Sequence, residues 1–315
     1  MIARVPVAFA LGIATIPLVA LDLRLTPFLI MDRMLNSYTS FILLAVPFFL
    51  LAANLMNSGK ITDRLIGLAT VLTGWLPGGL GHVNVMVSML FAGISGSSTA
   101  DAAGCGKILI PAMKKQGFDA RFTVAITACS SVMGVIIPPS ILMIVWGGVM
   151  SISVGALFLA GAIPGLMIAA ALMCAVYVYA IVYDYPTTGK PTFAEFWTAF
   201  KGASLALLTP VFVIGGIVGG IVTPTESAII AAFYSYFLGV FVYRTIKLRD
   251  TPGILYETGR FASISLFAIG TASAFGWMLA FYNVPDGRSD DQPGTWIHRH
   301  ITGNCCIFPA FRAFY

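Results

Sequence analysis

The sequence predicts an all-α polytopic membrane protein, and three observations predict it. Of its 315 residues, 58% are hydrophobic and only 10% are charged, where soluble domains carry roughly 25% charged residues. The mean hydropathy is +0.90. The apolar residues gather into runs close to or above the length of about 20 residues that a helix needs to cross a bilayer. Only helices and closed barrels can satisfy their backbone there.

The runs cover residues 5–31, 38–56, 61–76, 82–113, 122–150, 152–183, 203–222, 226–243 and 261–282. The first follows Arg4, is too long for a signal peptide and lacks a small-residue cleavage site, so it reads as a span. The run 61–76 is short and carries Arg64 in its first turn, which suits a helix lying along the interface. The run 82–113 is long but broken at Ser95-Gly96-Ser97-Ser98-Thr99, which fits either a kinked span or a re-entrant hairpin. The run 122–150 is broken from Met133-Gly134 to Pro138-Pro139-Ser140. Residues 187–195 are polar with two prolines and read as a loop. Residues 283–315 hold no span and no clear period.

The net charge of +5 matters less than its placement. Lys and Arg are scattered between apolar runs, which excludes a nucleic-acid surface. Cytoplasmic loops are enriched in Lys and Arg. Placing Lys114, Lys115 and Arg121 in the cytoplasm brings Lys190, Lys201, Arg244, Lys247 and Arg249 to the same side. A hairpin at 82–113 keeps Lys60 and Arg64 there too, so the charge pattern favours the hairpin. Cys105, Cys129 and Cys174 sit in apolar runs and Cys305-Cys306 in the tail, which is no disulfide framework.

Two breaks in neighbouring apolar runs mark a transporter's site, because interrupted helices are tolerated at membrane depth only where protein or a wet cavity covers them. In the first, hydroxyls beside glycines offer oxygens to a hard cation such as Na⁺, and the following helix N-terminus faces an anionic group. The same residues also read as a cap, with Ser98 and Asp101 in a Ser-x-x-acid pattern. Asp101 is the one acid of this run, and an intramembrane acid is a functional candidate by default. In the second break, tandem prolines remove two N–H donors and Gly134 frees the backbone. That suits an unwound segment facing the first break, or a proline kink.

Further along, Thr223-Pro224-Thr225-Glu226 forms a capping box with Pro at the first helical position. Gly215, Gly216, Gly219 and Gly220 repeat at a spacing that suits close helix packing. Gly93-Ile94-Ser95-Gly96 has the form of an intramembrane serine-protease nucleophile. That chemistry needs a histidine base on a later helix, and no His lies between His82 and His298. His298, His300, Cys305 and Cys306 have zinc-ligand types at a spacing that fits no common structural site.

These stretches resemble a known family. VPVAFALGIA, AVPFFLLAANLMNSGKITDRL, GHVNVMVSMLFAGISGSSTADAAGCGKILIPAMKKQGFD, TACSSVMGVIIPPSILMIVWG, GALFLAGAIPGLM, GGIVGGIVTPTESA and ASAFGWMLAFYNVP are similar to the DctM-type large permease subunit of tripartite ATP-independent periplasmic (TRAP) transporters. The resemblance covers Val5 to about Pro285. It implies an elevator-type fold of two inverted repeats, each with a re-entrant hairpin and an unwound helix, in the bacterial inner membrane. It implies no enzymatic activity and no cofactor, with Na⁺ as coupling ion. Implied partners are a small four-helix membrane subunit and a periplasmic binding protein. The implied substrate is an organic anion such as a C4-dicarboxylate or sialic acid.

On that map residues 1–80 are scaffold-like helices and 81–150 a transport-domain half. Residues 151–285 hold connecting helices and the start of the second repeat, and 286–315 an aberrant tail. The site residues implied are Ser95, Gly96, Ser97, Ser98, Thr99, Gly134, Pro138 and Pro139, with Na⁺ near Ser97, Thr99 and Gly134. The second repeat's hairpin and Pro-Pro break are not found after Pro285, so a frameshift or truncation near Val284–Asp286 is expected. Two alternatives stay open: a binding-protein-independent Na⁺- or H⁺-coupled anion carrier of the same superfamily, and an inactive fragment with a scaffold role.

Overall fold

The computed structural model describes residues 5–22, 26–187, 189 and 191–282, and these are helical with no strand among them. The tail with its His and Cys residues, and the expected frameshift, lie outside the described residues, as does Lys190.

Helix α1 (Val7–Leu21) and α2 (Pro27–Ser37) split the first apolar run in two. They are followed by a short 3₁₀ turn (Phe41–Leu44), α3 (Ala45–Ser58) and α4 (Ile61–Thr73). Next come α5 (Gly79–Ser95), α6 (Ser98–Lys115), α7 (Ala120–Ser131), the single turn α8 (Met133–Ile136) and α9 (Ile141–Met150). The remaining helices are longer: α10 (Val154–Val182), α11 (Phe193–Val218), α12 (Pro224–Phe237) and α13 (Thr251–Phe281). Among the described residues, six helical stretches are long and apolar enough to cross a membrane, from Phe41–Ser58 to Leu248–Phe281.

The chain divides into two compact units. Of the described residues, one holds those up to Ser37 together with 267–282, and the other those from Tyr38 to Leu266. In the first, Phe9 meets Phe267 at 5.1 Å, and the Arg33 guanidinium lies over the Trp277 ring at 5.0 Å. The second holds both breaks.

Within the second unit α3 packs along α12, and α4 packs between α5 and α11. Helix α4 buries Ile61, Leu65, Leu68 and Ala69, so it is anchored in the core by one face. The Arg64 guanidinium lies 3.9 Å from the Tyr243 ring centroid, and the Tyr243 hydroxyl donates to the Gly202 carbonyl at 3.3 Å.

Helix α10 is apolar all round, as a lipid-embedded helix must be. Its exposed Ile163, Leu166 and Met167 are large, while its buried stripe includes Gly161, Gly165 and Ala169. Small residues at this spacing let backbones approach closely where there is no hydrophobic drive between helices. A methyl group on Gly161 would lie 2.5 Å from the Ile136 carbonyl oxygen, and one on Gly165 would collide with Ile137. The stripe therefore receives the chain just where α8 ends.

The glycine run ending α11 behaves differently from the expected helix packing. Nothing lies close to Gly215 or Gly220. Gly220 takes φ +67°, and the N–H groups of Ile221 and Val222 both donate back to the Gly216 carbonyl. The run is a helix stop, satisfying carbonyls that would otherwise be orphaned. The expected capping box then starts α12, with Thr223 Oγ1 accepting from Glu226 N and Glu226 Oε2 accepting from Thr223 N.

Candidate functional site

The two breaks meet. Helix α5 ends because Gly96 turns to φ +60°, a left-handed conformation that glycine adopts without strain. Ser97 is extended and caps α6, its hydroxyl accepting from Ala100 N at 3.4 Å. The cap is thus Ser97, one residue before the Ser98 that the Ser-x-x-acid pattern pointed to. The Asp101 carboxylate takes no part in it; it is buried and faces the Ser88 hydroxyl and the Cys105 thiol.

Helix α6 runs back along α5. Asn84, early in α5, donates to the Met113 sulfur at 3.5 Å, and Phe91 lies against Gly104. The two helices form a hairpin with its apex at Gly96-Ser97, and Gly79 and Lys115 lie at its base. Rings tie the basic turn and the start of α7 to the end of α10 and the chain just after it: the Phe118 and Tyr185 rings lie 4.3 Å apart, and Phe122 stacks on Tyr179 at 5.0 Å.

The second break is shorter than the sequence suggests. Met133 and Gly134 belong to a helical turn that closes with the Ile137 N–H donating to the Met133 carbonyl at 2.8 Å, and the chain leaves helical hydrogen bonding from Pro138 to Ser140. Two prolines in a row supply no N–H there, and the peptide between them is cis. The Ser140 hydroxyl replaces part of the lost ladder. It donates to the Val135 carbonyl at 2.7 Å and accepts from Met143 N at 3.3 Å, which also caps α9.

Backbone joins the apex to this segment. The Ile141 N–H donates to the Gly96 carbonyl at 3.1 Å. A methyl group on Gly96 would lie 2.5 Å from the Pro139 carbonyl oxygen. One on Gly134 would lie 2.9 Å from the Ser97 carbonyl carbon and 3.0 Å from Ser98 N. Only glycine at these two positions allows the two main chains so near.

All eight residues singled out from the sequence fall in this one region. Ser95, Gly96, Gly134, Pro138 and Pro139 are buried, Ser97 and Ser98 half-buried, and Thr99 exposed. The Ser97 and Thr99 hydroxyls are 3.0 Å apart, and the Ser95 hydroxyl accepts from Ser97 N at 3.5 Å. Gly93 packs under the apex against Pro210 of α11, with the Pro138 carbonyl nearby. The region therefore gathers hydroxyl and carbonyl oxygens and the N-terminus of α6, a set suited to a hard cation and an anionic group together.

Sequence reasoning missed two parts of the support. One is Gly161 and Gly165, whose G-x-x-x-G spacing in an apolar helix is a readable signal. The other is a row of polar side chains between α5 and α7. Asn84 Nδ2 donates to Thr127 Oγ1 at 2.6 Å, and the Ser88 hydroxyl donates to Ser130 at 3.0 Å. Their spacing of three or four residues on two apolar helices was the available sign.

Comparison with known proteins places this architecture. Residues 1–291 match the family described as the tripartite ATP-independent periplasmic transporter, DctM component. The chain is 42% identical to the sialic acid TRAP transporter large permease protein SiaM of Vibrio cholerae, over 82% of this chain and 61% of that protein. It is 41% identical to the sialic acid TRAP transporter permease protein SiaT of Haemophilus influenzae, over 88% of this chain and 45% of that protein. With the C4-dicarboxylate TRAP transporter large permease protein DctM of Rhodobacter capsulatus it shares 34% identity, over 92% of this chain and 69% of that protein. The chain thus spans about half to two thirds of the length of these relatives. It belongs to the DctM component family of tripartite ATP-independent periplasmic transporters, multi-pass proteins of the bacterial inner membrane.

Proposed function

We propose that this chain is the large membrane subunit of a Na⁺-coupled secondary transporter that imports an organic anion. The observation that most supports this reading is the junction of two interrupted helices, with Gly134 against the Ser97-Ser98 peptide and Ile141 N bonded to the Gly96 carbonyl. Two breaks that share backbone contacts form a unit whose geometry a cation can tighten. Ser97, Thr99 and the chain around Gly134 are the positions nearest the ion. Ser95, Gly96, Ser98, Pro138 and Pro139 shape the surrounding backbone.

The substrate's anionic group meets the N-terminus of α6, where unpaired N–H groups and the helix dipole favour negative charge. Relatives named for sialic acid and for C4-dicarboxylates point to a carboxylate-bearing substrate. The substrate arrives on a periplasmic binding protein, and a small four-helix membrane subunit completes the carrier. Binding of the ion stiffens the apex so that it moves as one body with the unwound segment, in an elevator motion.

The test is uptake by cells or proteoliposomes holding the full chain, the small subunit and the periplasmic protein, with labelled sialic acid or a labelled C4-dicarboxylate. Uptake is expected with Na⁺ and not with choline, only with the binding protein, and not in Ser97→Ala. Equal uptake in choline would remove Na⁺ coupling, and uptake without the binding protein would make this an autonomous carrier. No uptake in any combination would leave the chain a scaffold.

A further inference from the structure

The loop that joins α12 to α13 is basic and fixed in place. Residues 244–250 carry Arg244, Lys247 and Arg249 against one acid, Asp250. The Asp250 carboxylate accepts from Lys247 N at 3.3 Å. Helix α12 runs into a wider π turn over Leu238–Val242, and the N–H groups of Thr245 and Ile246 then both donate to the Gly239 carbonyl. Thr245 Oγ1 donates to the Gly59 carbonyl at 2.9 Å, which brings Lys60, the next residue, to the same loop. Arg244 turns the chain at φ +53° and Ile246 is buried, so Arg244 and Lys247 stand exposed on an anchored backbone.

An apolar groove of about 160 Å³ adjoins this loop, walled by Leu51 and Leu55 of α3, Ala232 and Tyr236 of α12, and Ile254 and Leu255 of α13. Leu55 and Ile254 also pack with Ile246, so the loop borders the groove. Leu255 is half exposed, and the groove opens on a surface of large apolar side chains that lipid covers. Among the described residues no ion pair or ring contact engages Lys60, Arg244, Lys247 or Arg249, whereas the nearby Arg64 is held by the Tyr243 ring. Asp63 and Glu257 stand exposed on α4 and α13 and leave the rim with an excess of positive charge. Basic loops lie on the cytoplasmic side, where the leaflet's surface potential is negative, and basic pockets between spanning helices there suit anionic headgroups.

We propose that this groove and its rim bind one anionic phospholipid, with an acyl chain between α3, α12 and α13 and the phosphate among Lys60, Arg244 and Lys247. The occupant is a lipid because the cations and the apolar walls adjoin, and a soluble anion would leave the groove unfilled. Neither the loop nor the groove contains a residue of the two breaks, so the inference stands apart from Na⁺ coupling and from the transported substrate. The bound lipid ties together the ends of helices that meet at the loop.

The experiment is thermal unfolding of the purified full chain in detergent micelles, titrated with phosphatidylglycerol or with phosphatidylcholine of the same acyl chains. Wild type is expected to reach half-response at a mole fraction of phosphatidylglycerol about tenfold lower than of phosphatidylcholine, a preference that added choline chloride weakens. Arg244→Asn, a residue type that tolerates the left-handed backbone, and Lys247→Gln are each expected to raise the half-response for phosphatidylglycerol by about fivefold. Leu255→Gln, on the exposed wall of the groove, is expected to weaken both lipids alike. An equal response of wild type to the two lipids overturns the proposal, and so does an unchanged preference in Arg244→Asn and Lys247→Gln or an unchanged response in Leu255→Gln. Stabilisation by inorganic phosphate equal to that by phosphatidylglycerol would make the ligand a soluble anion and also overturns it. A wild type that responds to neither lipid does the same, the groove then being covered by protein. If the variants do not fold, the salt series on wild type decides: a preference that choline chloride leaves unchanged is not electrostatic, and the proposal fails.

Discussion

At Gly134 a single hydrogen atom separates two main chains. A Cβ there would stand 2.9 Å from the Ser97 carbonyl carbon, and backbone cannot step aside as the end of a flexible side chain can. Gly134→Ala is therefore expected to lower stability by about 1–3 kcal/mol and to abolish Na⁺-dependent uptake, read by thermal unfolding in nanodiscs and by transport. Gly117 makes a useful contrast. Its φ is +90°, but nothing lies near a Cβ placed on it. Gly117→Ala should cost about 1–2 kcal/mol of left-handed strain and leave the Na⁺ response of the remaining folded protein unchanged. An equal loss of Na⁺ response in both variants would show that stability, and not the contact at the apex, governs it. Ser97→Ala removes a cap worth about 1 kcal/mol, so a complete loss of uptake from it would exceed its structural effect. At this scale the sequence was legible in residue types: Gly, Pro and Ser inside apolar runs announced the breaks. The cap was displaced by one residue because Gly96, not Ser97, takes the left-handed turn that ends α5.

The hairpin is held to α7 by polar pairs between otherwise apolar helices. Interhelical hydrogen bonds of this kind contribute about 0.6 kcal/mol on average in membranes, because the separated helices find other partners. A double-mutant cycle on Asn84→Ala and Thr127→Ala should give a coupling of about 0.6–2 kcal/mol, measured by unfolding in mixed micelles. A coupling near zero would mean that the 2.6 Å bond between them carries no net stability. The limits of sequence reading also show at this scale. The glycines of residues 215–220 have the spacing of a packing seam, and the same spacing serves a helix stop. What decides is that Val222 turns back onto Gly216, a local turn that the period of the glycines does not reveal. Likewise the prolines located a break but could not say that its floor would be Gly161 and Gly165, which lie on α10.

For the molecule as a whole, the placement of basic residues sets orientation. The turn at the hairpin base carries Lys114, Lys115 and Arg121, and the rule of cytoplasmic positive charge puts it inside. The turn between α9 and α10, where Ser151 takes φ +55° and Ile152 is exposed, then faces the other side. In a background lacking the native cysteines, Gln116→Cys is expected to react with an impermeant thiol reagent only in inverted vesicles, and Ile152→Cys only in intact cells. The reverse pattern would invert the topology. Fold class and the two breaks were legible because lipid punishes every unsatisfied backbone group. The meeting of the breaks was not, because it is made by residues far apart in the chain. That meeting also imposes an order in time. Proteins are made from the amino end, so the Gly96 carbonyl is synthesised before the Ile141 N–H that it accepts, with α6, α7 and α8 in between. The newly made hairpin has no partner from the second break for its apex until α8 has left the ribosome, and the Gly96 carbonyl waits longer, for the start of α9. A pause or cleavage between α7 and α8 would leave in the membrane a hairpin whose arms are complete and whose apex lacks both Gly134 and Ile141 to close it.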